Sequence, residues 1–147
     1  MIVTKLQGGL GNQLFQWAVS KRLSLKYNTD YYFETSYFMN NSQGIVSKFE
    51  LELTNLNLEI KETSINTLPI ITDNFEFKEI HDNVFLDGYW QSEKYFIDSE
   101  NEIRNDLEIP EHIKSYIMNK YHILNTNTLS IHVRRGDYVN LQDIHPL

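Results

Sequence analysis

Hydrophobic and polar positions change their period several times along the chain, and each change predicts an element. Met1 to Leu6 is a short apolar run rich in β-branched residues, bounded by Gly8-Gly9, and reads as a strand. From Asn12 the period becomes helical. Leu14, Phe15, Ala18, Val19 and Leu23 share a stripe that leaves out Lys21, Arg22 and Lys26, and the helix should end near Tyr27-Asn28. Strand, glycine turn and helix form the opening half of a βαβ unit. Residues 29–47 are polar and aromatic with no clean period and read mostly as loop.

Further on, Phe49 to Leu53 and Leu56 to Ile60 alternate, as strands or short amphipathic pieces do. Phe75 to Ile80 alternates more strictly, like an edge strand. Val84-Phe85-Leu86 before Asp87-Gly88 reads as a buried strand, and Ser92-Glu93 starts a helix carrying Tyr95, Phe96, Ile103 and Leu107. Pro110 stands where a first helical residue would, followed by Ile113, Tyr116, Ile117 and Tyr121 as one face. Thr128 to Val133 is a last strand, ending at Arg134-Arg135-Gly136-Asp137. Strands alternating with helices argue for an α/β fold with a largely parallel sheet. Such a strand needs neighbours on both sides, which the fourteen residues after Val133 cannot supply, so either it joins the preceding sheet or, the favoured reading, a second domain begins near residue 126.

Composition narrows the function. With no cysteine among 147 residues there is no disulfide framework, thiol nucleophile or thiolate metal site. A net charge of −7 argues against a protein that coats nucleic acid or an anionic membrane. No stretch approaches the ~18–20 apolar residues of a membrane span, and Met1 to Leu6 lacks the layout of a signal peptide. A cytoplasmic protein, at most peripheral at a membrane, is the expectation.

Five of the six glycines fall in three places: Gly8, Gly9 and Gly11; Gly88; and Gly136. The first group joins strand to helix, where a ligand can approach main-chain N–H groups at the positive helix end. It is neither the dinucleotide fingerprint, since Leu14 replaces the third glycine, nor a P-loop. The ordinary alternative is a turn with Asn12 as N-cap. Arg134-Arg135 is sharper: two of only four arginines, adjacent at the carboxyl end of a strand, where α/β sheets bind ligands. Arginine presents a fork matched to phosphate oxygens, and Asp137 can brace one guanidinium; a plain surface pair between Arg135 and Asp137 is the alternative. His132 falls on the face of Arg134 by period two, as a core histidine or a support to the arginines. The other histidines show no metal-ligand spacing, and no Asp-x-Asp is present to hold a cation on a diphosphate. Tyr89 and Trp90 can stack on a sugar face while Gln91 bonds a hydroxyl; aromatics at such a junction also serve as core and cap.

Three stretches taken together, Gly8 to Gln16, Gly88 to Phe96 and His132 to Tyr138, resemble in order and spacing the bacterial-type α-1,2-fucosyltransferases of glycosyltransferase family 11. The resemblance implies a GT-B architecture of two Rossmann-like domains. Residues 1–125 would be the N-terminal, acceptor-side domain, and 126–147 the start of the domain that binds GDP-fucose. It implies transfer of L-fucose from GDP-β-L-fucose to the 2-hydroxyl of a galactose-terminated glycan, with inversion, without a metal or other cofactor. Arg134 maps onto the catalytic arginine at the donor diphosphate, with Arg135, His132 and Asp137 beside it. Asn12 and Gly11 face the donor from the first domain, and Tyr89, Trp90 and Gln91 are the acceptor-side candidates. Members of the family are about twice this length, so residues 1–147 alone are expected not to turn over GDP-fucose. The alternative is a non-catalytic remnant that binds nucleotide or glycan weakly, distinguished by titration with GDP and GDP-fucose.

Overall fold

The structure is a computed structural model and describes residues 1–39, 51–56, 58–73, 79–121, 129 and 131. It contains two compact units, Met1–Leu107 and Glu108–Leu147. In the first, four strands form one parallel sheet: β1 (Ile2–Lys5), β2 (Tyr31–Glu34), β3 (Ile70–Thr72) and β4 (Val84–Asp87), in the order β2-β1-β4-β3. The helices are α1 (Leu10–Tyr27), the single turn α2 (Ser36–Met39), α3 (Glu100–Asp106) and, in the second unit, α4 (Glu111–Tyr121).

Register places Ile2 beside Tyr31 and Val84, and Thr4 beside Phe33 and Leu86. Period two puts all six on one sheet face, and α1 packs there. Ile2, Val84 and Leu86 meet Val19, Leu23 and Trp90 in one buried cluster. Phe33 meets Trp17 and Ala18 in another, with Leu6, Leu53 and Ile103. Between them the Thr4 hydroxyl meets that of Ser20 at 2.6 Å, while Ser20 donates to the Gln16 carbonyl. Val3 and Phe85, on the opposite face, are buried too, as expected for inner strands of a parallel sheet.

The first strand, the buried strand at Val84 and the end of α1 follow the sequence pattern. Asn28, left-handed at φ 48°, closes α1 while the Thr29 N–H reaches back to the Ser24 carbonyl. Four expectations change. The helix starts at Leu10 with Gly9 as N-cap, so Asn12 lies inside the first turn and is not the cap. Its buried face is Gln13, Gln16, Trp17, Ser20 and Leu23 with Ala18 and Val19, which leaves Leu14 and Phe15 half-buried. The supposed loop after Thr29 contains β2. Of its four residues only Phe33 is fully buried, so no apolar alternation marks it. What fixes it is pairing on both edges, with β1 and through Phe33 with the Lys61 carbonyl and the Thr63 N–H, both at 2.8 Å. The helix expected from Ser92 is broken into 3-10 turns, Glu93–Tyr95 and Ile97–Ser99, before α3. Phe96, at φ −147° and ψ 15° and so outside the helical region, makes the break, and its ring packs on Phe15 while Tyr95 packs edge-on against Trp90.

Residues 51–60 hold a 3-10 turn, Glu52–Asn55, and no strand among the described ones. The alternation at 75–80 lies mostly outside the described residues. Of the strand expected over 128–133 only Leu129 and Ile131 are described; both are exposed and in no regular element. In the second unit α4 begins at Glu111, with the Pro110 carbonyl accepting from the Ile113 and Lys114 N–H groups. Its Ile113, Tyr116 and Tyr121 are exposed. No helix among the described residues is long and apolar enough to cross a membrane.

The cations left off the α1 stripe find partners on the surface. Lys21 meets Asp106 at 2.7 Å and Lys26 meets Glu79 at 3.0 Å. Arg22 holds both oxygens of Asp98 at 2.8–3.0 Å, and its guanidinium keeps that carboxyl below the usual carboxylate range. A depressed folded value means stability that is present above pH ~4 and lost as pH falls through the folded value. Asp98→Asn is therefore expected to cost up to about 1 kcal/mol at pH 7, because the pair is exposed. Urea unfolding at pH 7 and pH 3 checks it: the difference between the variants should shrink at the lower pH.

Candidate functional site at the carboxyl ends of the strands

The site is built where β1 and β4, the two inner strands, run out. After β1 the chain turns through Gly8, whose φ of +77° favours glycine, and a Cβ there would lie 2.3 Å from Asn12 Nδ2. Gly9 then opens α1, whose first turn carries no acidic side chain, so its positive end is not neutralised from within. Nothing lies within 4 Å of where a Cβ on Gly11 would be, and this residue faces open space.

After β4 the chain runs through Gly88, Tyr89, Trp90 and Gln91. Asp73, just past the end of β3, accepts from the Tyr89 N–H at 2.8 Å and the Trp90 N–H at 3.0 Å, both on Oδ2. Trp90 is left-handed at φ +56°, which costs a non-glycine residue roughly 1–2 kcal/mol. Its ring is 1% exposed and belongs to the core, so of the three acceptor-side candidates it offers a ligand no face. Tyr89 is 41% exposed, and burial of its phenol, helped by Tyr37 and Asp73 against Lys5, pushes its pKa up. That hydroxyl stays neutral at physiological pH and can both donate and accept. Gln91 Nε2 donates to Asn12 Oδ1 at 2.6 Å, which joins the second motif stretch to the first. Lys5 and Asp87, the last residues of β1 and β4, pair at 3.1 Å on the same rim.

Two glutamines hold these turns together. Gln16 is fully buried; its Oε1 accepts from the Gln7 N–H at 3.0 Å, and its Nε2 donates to the carbonyls of Gln7 at 3.3 Å and Gly88 at 3.2 Å. Gln13, equally buried, donates to the Gly8 carbonyl at 2.9 Å and accepts from the Leu53 N–H at 3.3 Å. Neither stands out in the sequence, because a hydrophobic stripe counts amides as surface. Glutamines three apart in step with Trp17 and Ser20 were the available signal. Asp73 had none, since its role depends on β3 pairing beside β4.

The structure thus brings together Asn12, Gly11, Tyr89 and Gln91 on one rim, with Trp90 beneath it. His132, Arg134, Arg135 and Asp137 lie outside the described residues.

A parallel sheet, a glycine turn into α1 and a polar rim define a Rossmann-like α/β protein with its candidate site at the carboxyl strand ends. The sequence profile of glycosyl transferase family 11 matches residues 1–146, and the chain belongs to that family, as the three motif stretches imply. It is similar to an alpha-1,2-colitosyltransferase of Escherichia coli, with 27% identity over 95% of this chain and 56% of that protein. The chain therefore spans about half the length of this curated relative. No solved structure matches it.

Proposed function

We propose that this chain is the acceptor-side part of an inverting glycosyltransferase that moves L-fucose from GDP-β-L-fucose to the 2-hydroxyl of a terminal galactose. In this reading residues 1–125 form the first Rossmann-like domain of a GT-B enzyme, and residues from 126 begin the donor domain. Family membership supports a sugar-nucleotide donor and a glycan acceptor. The geometric observation that carries the assignment is the Asn12–Gln91 bond, which unites two motif stretches 79 residues apart at the carboxyl rim of a parallel sheet.

In the proposed reaction the acceptor 2-hydroxyl gives its proton to a general base as its oxygen attacks the anomeric carbon from the face opposite GDP. The C–O bond to the diphosphate breaks, and charge grows on the β-phosphate. Arg134, with Arg135 and main-chain N–H groups, neutralises that charge, so no divalent cation is required. Asn12 and Gly11 border the donor, while Tyr89 and Gln91 meet the acceptor. Arg134→Lys, in the protein that carries this chain, should reduce kcat by about 10²–10³, because an ammonium does not reproduce the two-pronged contact. Initial-rate assays with GDP-fucose check it, and near-normal turnover would remove Arg134 from the role.

A second donor is favoured by one observation, the similarity to an enzyme named for colitose. Colitose is fucose without its 3-hydroxyl, so parallel assays with GDP-fucose and GDP-colitose decide between them. The linkage of the product is read by NMR. Transfer of neither sugar would refute the assignment.

A further inference from the structure

Asp73 stands outside every motif, yet it governs the segment that carries the acceptor-side candidates. One oxygen, Oδ2, takes two consecutive main-chain N–H groups, those of Tyr89 and Trp90. The other presses on Gly88 so closely that a Cβ at position 88 would lie 2.4 Å from it. Successive N–H groups converging on one acceptor require the bend that Trp90 makes with its positive φ. The next residue after that bend is Gln91, whose side chain meets Asn12. On the opposite side Gln16 fixes the Gly88 carbonyl. The turn is thus clamped from both sides: by β3's end through a carboxylate, and by α1 through an amide.

We propose that Asp73 is a positioning residue: by clamping the 88–90 turn it sets the placement of Gln91 against Asn12, and hence the seating of the glycan acceptor. This rests on the transferase reading above. Asp73→Ala removes the acceptor of both N–H groups and frees the left-handed bend to relax. Asp73→Asn keeps an oxygen where Oδ2 now lies, and that single atom suffices for both contacts.

The test uses two readouts on the protein that carries this chain. In steady-state transfer assays, Asp73→Ala should lower kcat/KM for the acceptor about 10-fold or more through misplacement, change the donor KM by less than that, and be largely restored in Asp73→Asn. In a Gln91→Ala background it should add little, since the two act through one contact. Losses that simply add would overturn the proposal. The second readout is independent of turnover: the side-chain amide resonances of Gln91 and Asn12 should shift in Asp73→Ala but not in Asp98→Asn, a surface control. Unmoved Gln91 resonances would overturn the proposal even in a protein that transfers sugar. Shifted ones in a protein that transfers nothing would uphold the clamp while the transferase reading fell.

Discussion

Gln16→Leu is expected to destabilise the first unit by about 3–5 kcal/mol, measured by urea unfolding. Leucine fills nearly the same space, so the loss is not one of packing. Three main-chain groups lose their partner: the Gln7 N–H, the Gln7 carbonyl and the Gly88 carbonyl. Leaving a buried polar group unsatisfied costs about 1–3 kcal/mol each. Water can reach Gln7, which places its two groups toward the lower end, whereas the Gly88 contact is buried. Gln16→Glu sharpens the test. It preserves an acceptor for the Gln7 N–H but offers two carbonyls a carboxylate, so it should be no better tolerated than leucine at neutral pH. A loss below about 1 kcal/mol for leucine would mean that the turns hold themselves without this side chain.

Gly88→Ala is expected to cost about 2–3 kcal/mol, for a reason that lies in another residue. The new methyl would sit 2.4 Å from Asp73 Oδ1 and 2.5 Å from its Cγ, so the carboxylate must swing away. Doing so surrenders the bonds to the Tyr89 and Trp90 N–H groups, charge-assisted contacts that are partly exposed to solvent. The signature is non-additivity. In an Asp73→Ala background much of the penalty should vanish, because Oδ1, Cγ and the bonds to be lost are already gone, and only the Cβ of residue 73, 3.0 Å from the new methyl, stays close. Thermal and urea unfolding of the four proteins in that cycle measure it. An undiminished penalty in the double variant would locate the cost in the backbone of residue 88 instead.

These sites also show what the one-dimensional pattern could and could not carry. The outline of the opening unit is plain, because the segment Met1 to Leu6 is mostly apolar and ends at glycines, and a helical period follows. Asn12 and Gln91 were each singled out from their own neighbourhoods, but that they touch is a property of β1 lying beside β4. Tyr31–Glu34 was missed for a similar reason: its identity as a strand is written in its neighbours, and half-buried tyrosines carry no alternation. The glutamines of α1 were hidden by a scale that counts amides as surface. At Trp90 the junction allows either a sugar platform or a core residue, and it is the packing against β4 and α1 that turns the ring to the interior.

One helix furnishes both halves of the interior: Val19 and Leu23 go to one cluster, Trp17 and Ala18 to the other. Among the described residues α1 therefore ties the two clusters together across the sheet. On the proposed function, any opening that admits a sugar falls to the segments past the strand tips, where the backbone is tethered by the Gln16, Gln13 and Gln91 amides and the Asp73 carboxylate. How fast this rim exchanges visitors is then a matter of those few tethers, and the layered body beneath stays a passive anvil.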